Sequence, residues 1–197
     1  MPLRPGRAGS PTLAPLLLAA LAAACERSHG EVELNWTVVD AGGRDVFPVG
    51  PFDDLCSFIG RTAEDGARRP YALNVRLSLC EPGCATDCAS DPSCLALALD
   101  FSCNAARGFD TVPARDASYE MVVDLVADFG GACACALGPS CALVPGPRLR
   151  AIEPGLVTDL QVYLLVLTGL DLGVDTSAMG RTVMDLVGCC DLDPTCS

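Results

Sequence analysis

From residue 31 onward the dominant period is two. Val32, Leu34, Trp36 and Val38 alternate with Glu31, Glu33, Asn35 and Thr37, the signature of a strand with one buried face. Tyr71, Leu73, Val75, Leu77 and Leu79 form a second apolar row opposite Asn74, Arg76 and Ser78. Leu95, Leu97, Leu99 and Phe101 make a third, backed by Ala96, Ala98 and Asp100, and Tyr119, Met121, Val123 and Leu125 a fourth, opposite Glu120, Asp124 and two valines. Leu160, Val162, Leu164 and Val166 make a fifth, although Tyr163, Leu165 and Leu167 leave its other face apolar too. Turn signals stand between them: Ala41-Gly42-Gly43, Glu64-Asp65-Gly66, Glu81-Pro82-Gly83, Gly130-Gly131 and Pro145-Gly146-Pro147. One-sided sheets without long helices between their strands must cover each other. The expected fold is therefore mainly β, a disulfide-stapled antiparallel β-sandwich. Near the end of the chain the period changes. Met179, Val183, Leu186 and Val187 recur at helical spacing after Asp175-Thr176-Ser177, which can cap, and before Gly188, which can end a helix. This predicts a short C-terminal helix, with a last strand over Arg181 to Val187 as the alternative.

The first 24 residues read as an export signal, with Arg4 and Arg7 before an apolar run from Leu13 to Ala24. That run is 12 residues long and contains Pro15, whereas a membrane-spanning helix needs roughly 20 apolar residues. The next candidate, Leu160 to Val174, is interrupted by Gly169 and Asp171. The expected organisation is a signal peptide over residues 1–24, a tether over 25–30, a sandwich domain over 31–170 and a disulfide-tied C-terminal appendage over 171–197.

The segment Leu21-Ala22-Ala23-Ala24-Cys25 resembles the lipobox of bacterial lipoproteins, with Ala22 where that family more often has Leu. The resemblance implies cleavage just before Cys25, diacylglyceryl transfer to its thiol and N-acylation, so the expected partner is membrane lipid held through acylated Cys25. Two or more chains anchor stably where a single one does not. Ala22-Ala23-Ala24 also satisfies an ordinary secretory site. Glu26, rather than the Asp that favours inner-membrane retention in enterobacterial members of the family, points to the outer membrane.

Cysteine parity agrees with a lipid-bearing Cys25. Setting it aside leaves twelve: Cys56, Cys80, Cys84, Cys88, Cys94, Cys103, Cys133, Cys135, Cys141, Cys189, Cys190 and Cys196. Delivered to an oxidising compartment, they can close into disulfides with none left over. Two local clusters, Cys80 to Cys103 and Cys133 to Cys141, hold five and three cysteines, so at least one bridge must leave each.

Composition narrows the function classes. With 25 acidic against 13 basic residues, all Arg, the net charge is −12, which argues against nucleic acid as a partner. Half the 197 residues are hydrophobic, too many for a disordered acidic chain. The run Phe101-Ser102-Cys103 through Val112-Pro113-Ala114 to Tyr119-Glu120-Met121, with Glu153-Pro154-Gly155 before Thr158-Asp159-Leu160, resembles transthyretin-like and immunoglobulin-like sandwiches of secreted bacterial proteins. That likeness implies a fold and no catalytic residues.

Candidate chemistry is sparse. Zinc-type spacing is absent from the cysteine clusters. Cys133-Ala134-Cys135 with Cys141 would suit Cu(I) if reduced, and adjacent Cys189-Cys190 could form a redox-active vicinal bridge. Structural disulfides are the expectation. Asp171, Asp175, Asp185, Asp191 and Asp193 lack EF-hand order and read as a solvated acidic surface. The single His, His29, falls in the tether and reads as solvated. No nucleophile elbow, phosphate-cradling loop or zinc-protease motif occurs. No cofactor, metal site or catalytic residue is expected. The expected function is a non-enzymatic lipid-anchored envelope module for binding, adhesion or scaffolding of a protein or glycan. The alternative is a periplasmic metal-handling or thiol-redox protein using Cys133/Cys135 or Cys189/Cys190.

Overall fold

The structure, a computed structural model, describes residues 28–46, 57–61, 68–84, 88, 91–131, 133–170 and 182–190. Its strands are β1 (His29–Asp40), β2 (Ser57–Arg61), β3 (Arg68–Cys80), β4 (Leu95–Ser102), β5 (Arg107–Pro113), β6 (Arg115–Asp128), β7 (Ala134–Ala136), β8 (Ala142–Leu143), β9 (Arg148–Ile152), β10 (Val157–Leu167) and β11 (Thr182–Asp185). They form a smaller sheet ordered β5-β1-β10-β8 and a larger one ordered β11-β2-β3-β6-β7, in which β4 also pairs with β3 and β9 with β6.

Both sheets turn apolar rows toward one core. From the larger come Leu73, Val75, Leu77 and Leu79 of β3 and Met121, Val123 and Leu125 of β6; from the smaller come Val32, Leu34, Trp36 and Val38 of β1. Each fully buried aliphatic side chain contributes roughly 1.5–3 kcal/mol relative to exposure. Trp36 places its one polar atom without penalty: Nε1–H donates to the Cys103 carbonyl at 2.9 Å, and its ring stacks on Phe101 with centroids 5.9 Å apart. β4 follows the expected alternation, with Leu95, Leu97, Leu99 and Phe101 partly buried and the residues between them exposed.

The sheets are mixed, not antiparallel. β1 runs parallel to β10, from Glu31 opposite Val157 to Asp40 opposite Leu167, and β11 runs parallel to β2. The reason lies in the turn Glu153 to Leu156, which carries the chain from β9 in one sheet to β10 in the other and delivers it beside the start of β1: the Glu31 N–H donates to the Leu156 carbonyl at 2.9 Å. β1 itself begins at His29, inside the segment read as tether, with His29 opposite Pro113 and Gly30 opposite Val112. Gly30 fits there because it lacks a side chain, since a Cβ would stand 2.5 Å from the Glu153 carbonyl oxygen.

The C-terminal helix does not form over its described part, residues 182–190; β11 and a turn occupy them. Met184 and Leu186 are 0% and 1% exposed while Val187 is 37% exposed, so burial follows a period of two and the strand alternative holds. Met184 is seated under Tyr71, whose hydroxyl donates to its sulfur at 3.1 Å. Residues 171–181, including Met179, lie outside the described residues.

The fifth apolar row changes face midway. Leu160 points inward, but beyond it the buried residues are Tyr163, Leu165 and Leu167, while Val162 and Leu164 are 64% and 55% exposed. The switch occurs at Gln161, which has φ +70° and whose N–H donates to Asp159 Oδ1 at 2.7 Å. The extra residue makes a β-bulge, visible as the register shift between Glu33 and Asn35 on β1. Because a left-handed backbone is closed to β-branched residues, Gln161→Val is expected to lower stability by about 1–2 kcal/mol. Gln161→Gly should leave it equal or higher. Urea unfolding of both variants checks this, and equal losses would show that the bulge does not depend on backbone conformation at this position.

Candidate functional site

The end of the sandwich where the chain enters β1 combines an open cleft, charged side chains and two disulfides. The Ala114 N–H donates to the Ser28 carbonyl and the Gly155 N–H to the His29 carbonyl, both at 2.8 Å. Two turns therefore grip the entering chain from opposite sides. Between them lies an open cleft of about 640 Å³ lined by Ala114, Arg115, Asp116, Ala151, Ile152, Glu153 and Pro154. Leu156 and Val157, 54% and 51% exposed, stand on the same rim.

Arg115 ties this rim to the loop after β3. Its guanidinium lies 3.7 Å from the centre of the Tyr119 ring, donates to Glu81 Oε1 at 2.5 Å and reaches the carbonyls of Ala117 and Ser118 at 3.2 and 3.1 Å. That loop is closed by Cys80–Cys88 and Cys84–Cys94, and the Gly83 N–H donates to Glu120 Oε2 at 2.9 Å. Within it the Ser93 hydroxyl and N–H hold the Asp91 carboxyl below its usual range.

The opposite end carries a second pair of bridges, Cys135–Cys190 and Cys141–Cys189, so the adjacent Cys189 and Cys190 bond to separate partners rather than to each other. Cys103 and Cys133 are also disulfide-bonded, and all ten cysteines among the described residues are oxidised. With the rest of each cluster paired elsewhere, the partners of Cys103 and Cys133 lie outside their own clusters, as parity requires. Cys25, Cys56 and Cys196 lie outside the described residues. So do Asp171, Asp175, Asp191 and Asp193, while the Asp185 carboxylate accepts from the Val187 N–H at 3.1 Å. His29 is exposed, its Nδ1 2.9 Å from Ser28 Oγ. Among the described residues no group of three His, Cys, Asp or Glu side chains is placed to hold a metal ion, and no helix there is long and apolar enough to cross a membrane.

Besides Asp91, two carboxylates, Asp124 and Asp40, have acidity shifted in opposite directions. Asp124 of β6 and Asp100 of β4 both stand opposite Arg76 of β3. Arg76 grips Asp100 with two hydrogen bonds of 2.7 Å, leaving Asp124 the more buried and less compensated acid. Burial pushes its carboxyl above the ordinary range, and Arg76 offsets this only in part. At the far end Asp40 has the opposite shift. The Arg44 N–H and guanidinium, with the Gly42 N–H, hydrogen-bond its carboxylate at 2.8–2.9 Å and lower its pKa. Both polar faces were legible as alternation, but the register that sets Asp124 against an occupied Arg was not.

Comparison with protein-family models, curated proteins and solved structures returns no match.

The two acids should respond to pH with opposite sign. A carboxyl whose pKa is raised on folding binds its proton more tightly in the folded state, so the stability of the wild type relative to Asp124→Asn should rise as pH falls from 7 through that raised pKa, levelling off below the unfolded value near 3.8. Asp40, lowered on folding, stabilises above the unfolded value. The wild-type advantage over Asp40→Asn should therefore shrink as pH drops through its lowered folded value. Thermal midpoints of the three proteins across pH 7 to 3 test both signs.

Proposed function

We propose that the protein is a non-enzymatic, lipid-anchored module of the bacterial envelope, held at the outer membrane by acylated Cys25 and serving binding, adhesion or scaffolding of a protein or glycan. The observation that carries this reading is the complete oxidation of the described cysteines, which suits an exported chain; thirteen cysteines in all make an odd number, and the lipobox-like segment assigns the odd one to Cys25. Support also comes from the short distance between Cys25 and the first strand. Only residues 26–28 intervene before β1 at His29, so the folded body is attached closely. The acidic, Lys-free composition suits exposure to solvent rather than to nucleic acid. The transthyretin-like or immunoglobulin-like character read from the strand and turn segments belongs to the same proposal, supported by two sheets around one core.

The competing reading, metal handling or thiol redox through Cys133/Cys135 or Cys189/Cys190, requires free thiolates for a metal or a bond within the pair for redox, whereas all four sulfurs are bridged here and Cys135, Cys189 and Cys190 bond to partners outside their pairs.

Intact mass of the mature protein, together with titration of native thiols, separates the readings. The expected result is a chain beginning at Cys25 with the added mass of acyl chains and no reactive thiol, and Cys25→Ser should release the protein from the membrane fraction. A mature chain starting beyond Cys25 would overturn the anchor, and two or more titratable thiols with stoichiometric copper or zinc would favour the competing reading.

A further inference from the structure

We propose that the rim formed by Leu156 and Val157 lies on the bilayer surface to which the chain is tethered, so that the sandwich stands with this end down and its β1 axis directed away from the membrane. The proposal rests on acylation of Cys25. From Cys25 to Ser28 three residues span at most roughly 11 Å, and Ser28 is hydrogen-bonded to Ala114 at the base of the sandwich. This short reach confines the base to the interfacial zone of the membrane. Of the residues gripping the entering chain, Leu156 presents its side chain to solvent at 54% exposure while its carbonyl accepts from Glu31 at 2.9 Å. Val157, the next residue and the first of β10, is 51% exposed. The pair thus occupies the part of the fold that the tether cannot carry away from lipid.

The chemistry of the surface follows from the neighbouring charges. Asp116 and Glu153 line the adjacent cleft, and Arg115 is engaged with Glu81. The rim is apolar set among acids, without the cationic cluster that draws proteins to anionic lipid. The partner is a zwitterionic bilayer interface, entered by two aliphatic side chains. The stripe of Val162, Leu164 and Leu143, also exposed, is excluded from this contact by distance. Leu164 lies eight residues along the chain from Leu156, about 26 Å at strand rise.

The test uses the acylated full-length mature protein in phosphatidylcholine vesicles containing brominated phospholipid, which quenches tryptophan at the interface. Trp36 is the only native tryptophan and is 3% exposed in the core, so the wild type supplies the blank. Leu156→Trp and, as a second exposed site, Val157→Trp are expected to lose at least a third of their added emission, and Leu164→Trp essentially none. Replacing half the lipid with an anionic species at low salt should weaken the quenching. Equal absence of quenching at 156, 157 and 164 in protein whose acyl mass is verified would overturn the rim contact and leave the anchor intact. Stronger quenching at 164 than at 156 would show instead that the molecule lies on its smaller sheet. If the mass shows no acyl group and the protein does not sediment with vesicles, anchor and rim contact fall together.

Discussion

The apolar row of β3 is the constraint on which the rest of the structure depends. Leu73, Val75, Leu77 and Leu79 are all fully buried on one strand, and β3 is flanked along its length by β2, β4 and β6. That face can leave water only if a second sheet lies over it. The smaller sheet, only four strands wide, supplies this cover mainly through β1 and β10, whose inward residues share the core. Much of the remaining structure secures that cover: β5 holds one side of β1, and the Trp36 hydrogen bond to Cys103 binds β1 to the turn after β4.

Disulfides secure the two ends differently. At the base, Cys80–Cys88 and Cys84–Cys94 close loops of 8 and 10 residues, and in the chain-entropy account each removes roughly 2.5–3 kcal/mol from the unfolded state. They stiffen a local loop that Arg115 and Glu120 then hold against the sandwich. At the other end Cys135–Cys190 and Cys141–Cys189 span 55 and 48 residues, worth roughly 4 kcal/mol each in the same account. These longer bridges bring back the tail. β11 has only four residues and a parallel partner, too little pairing to hold a chain end by itself, so the covalent links and the burial of Met184 and Leu186 together make it a strand of the larger sheet.

What was legible in the sequence follows from where burial is one-sided. The rows in β1, β3 and β6 alternate apolar with polar residues, and the alternation names both the strand and its inward face. β10 is apolar on both faces, and Gln161 is neither Gly nor Asn, so nothing in the sequence marks the residue at which the inward face switches. Its existence as a strand was legible but its phase was not. The C-terminal segment failed for a related reason: four apolar residues there fit a helical period, and only the contact of Met184 with Tyr71 shows which residues are buried. Cysteine parity required bridges out of each cluster: Cys135–Cys190 and Cys141–Cys189 leave the second, and Cys103 is bonded while the other four of its cluster pair among themselves, so its bridge leaves the first. The individual pairings were not legible, because they depend on which strand ends the fold brings together. The same holds for Asp124, whose raised acidity comes from a cross-strand register.

The parallel pairing of β1 with β10 decides which features share an end. Because the two strands run the same way, the start of β10 lies at the start of β1, and the Glu153–Leu156 turn is brought to the entering chain. An antiparallel pairing would have placed the end of β10 there, and with it β8, which pairs with Val166 and Leu167, and the Cys141–Cys189 bridge beside it. As built, the long-range bridges and the Asp40–Arg44 loop sit at the end remote from His29, where β1 begins. A twelve-residue β1 extends about 40 Å, which separates that remote end from the turns that grip the entering chain. The direction of a single strand pairing thus sets which features gather where the chain enters β1 and which gather at the opposite end.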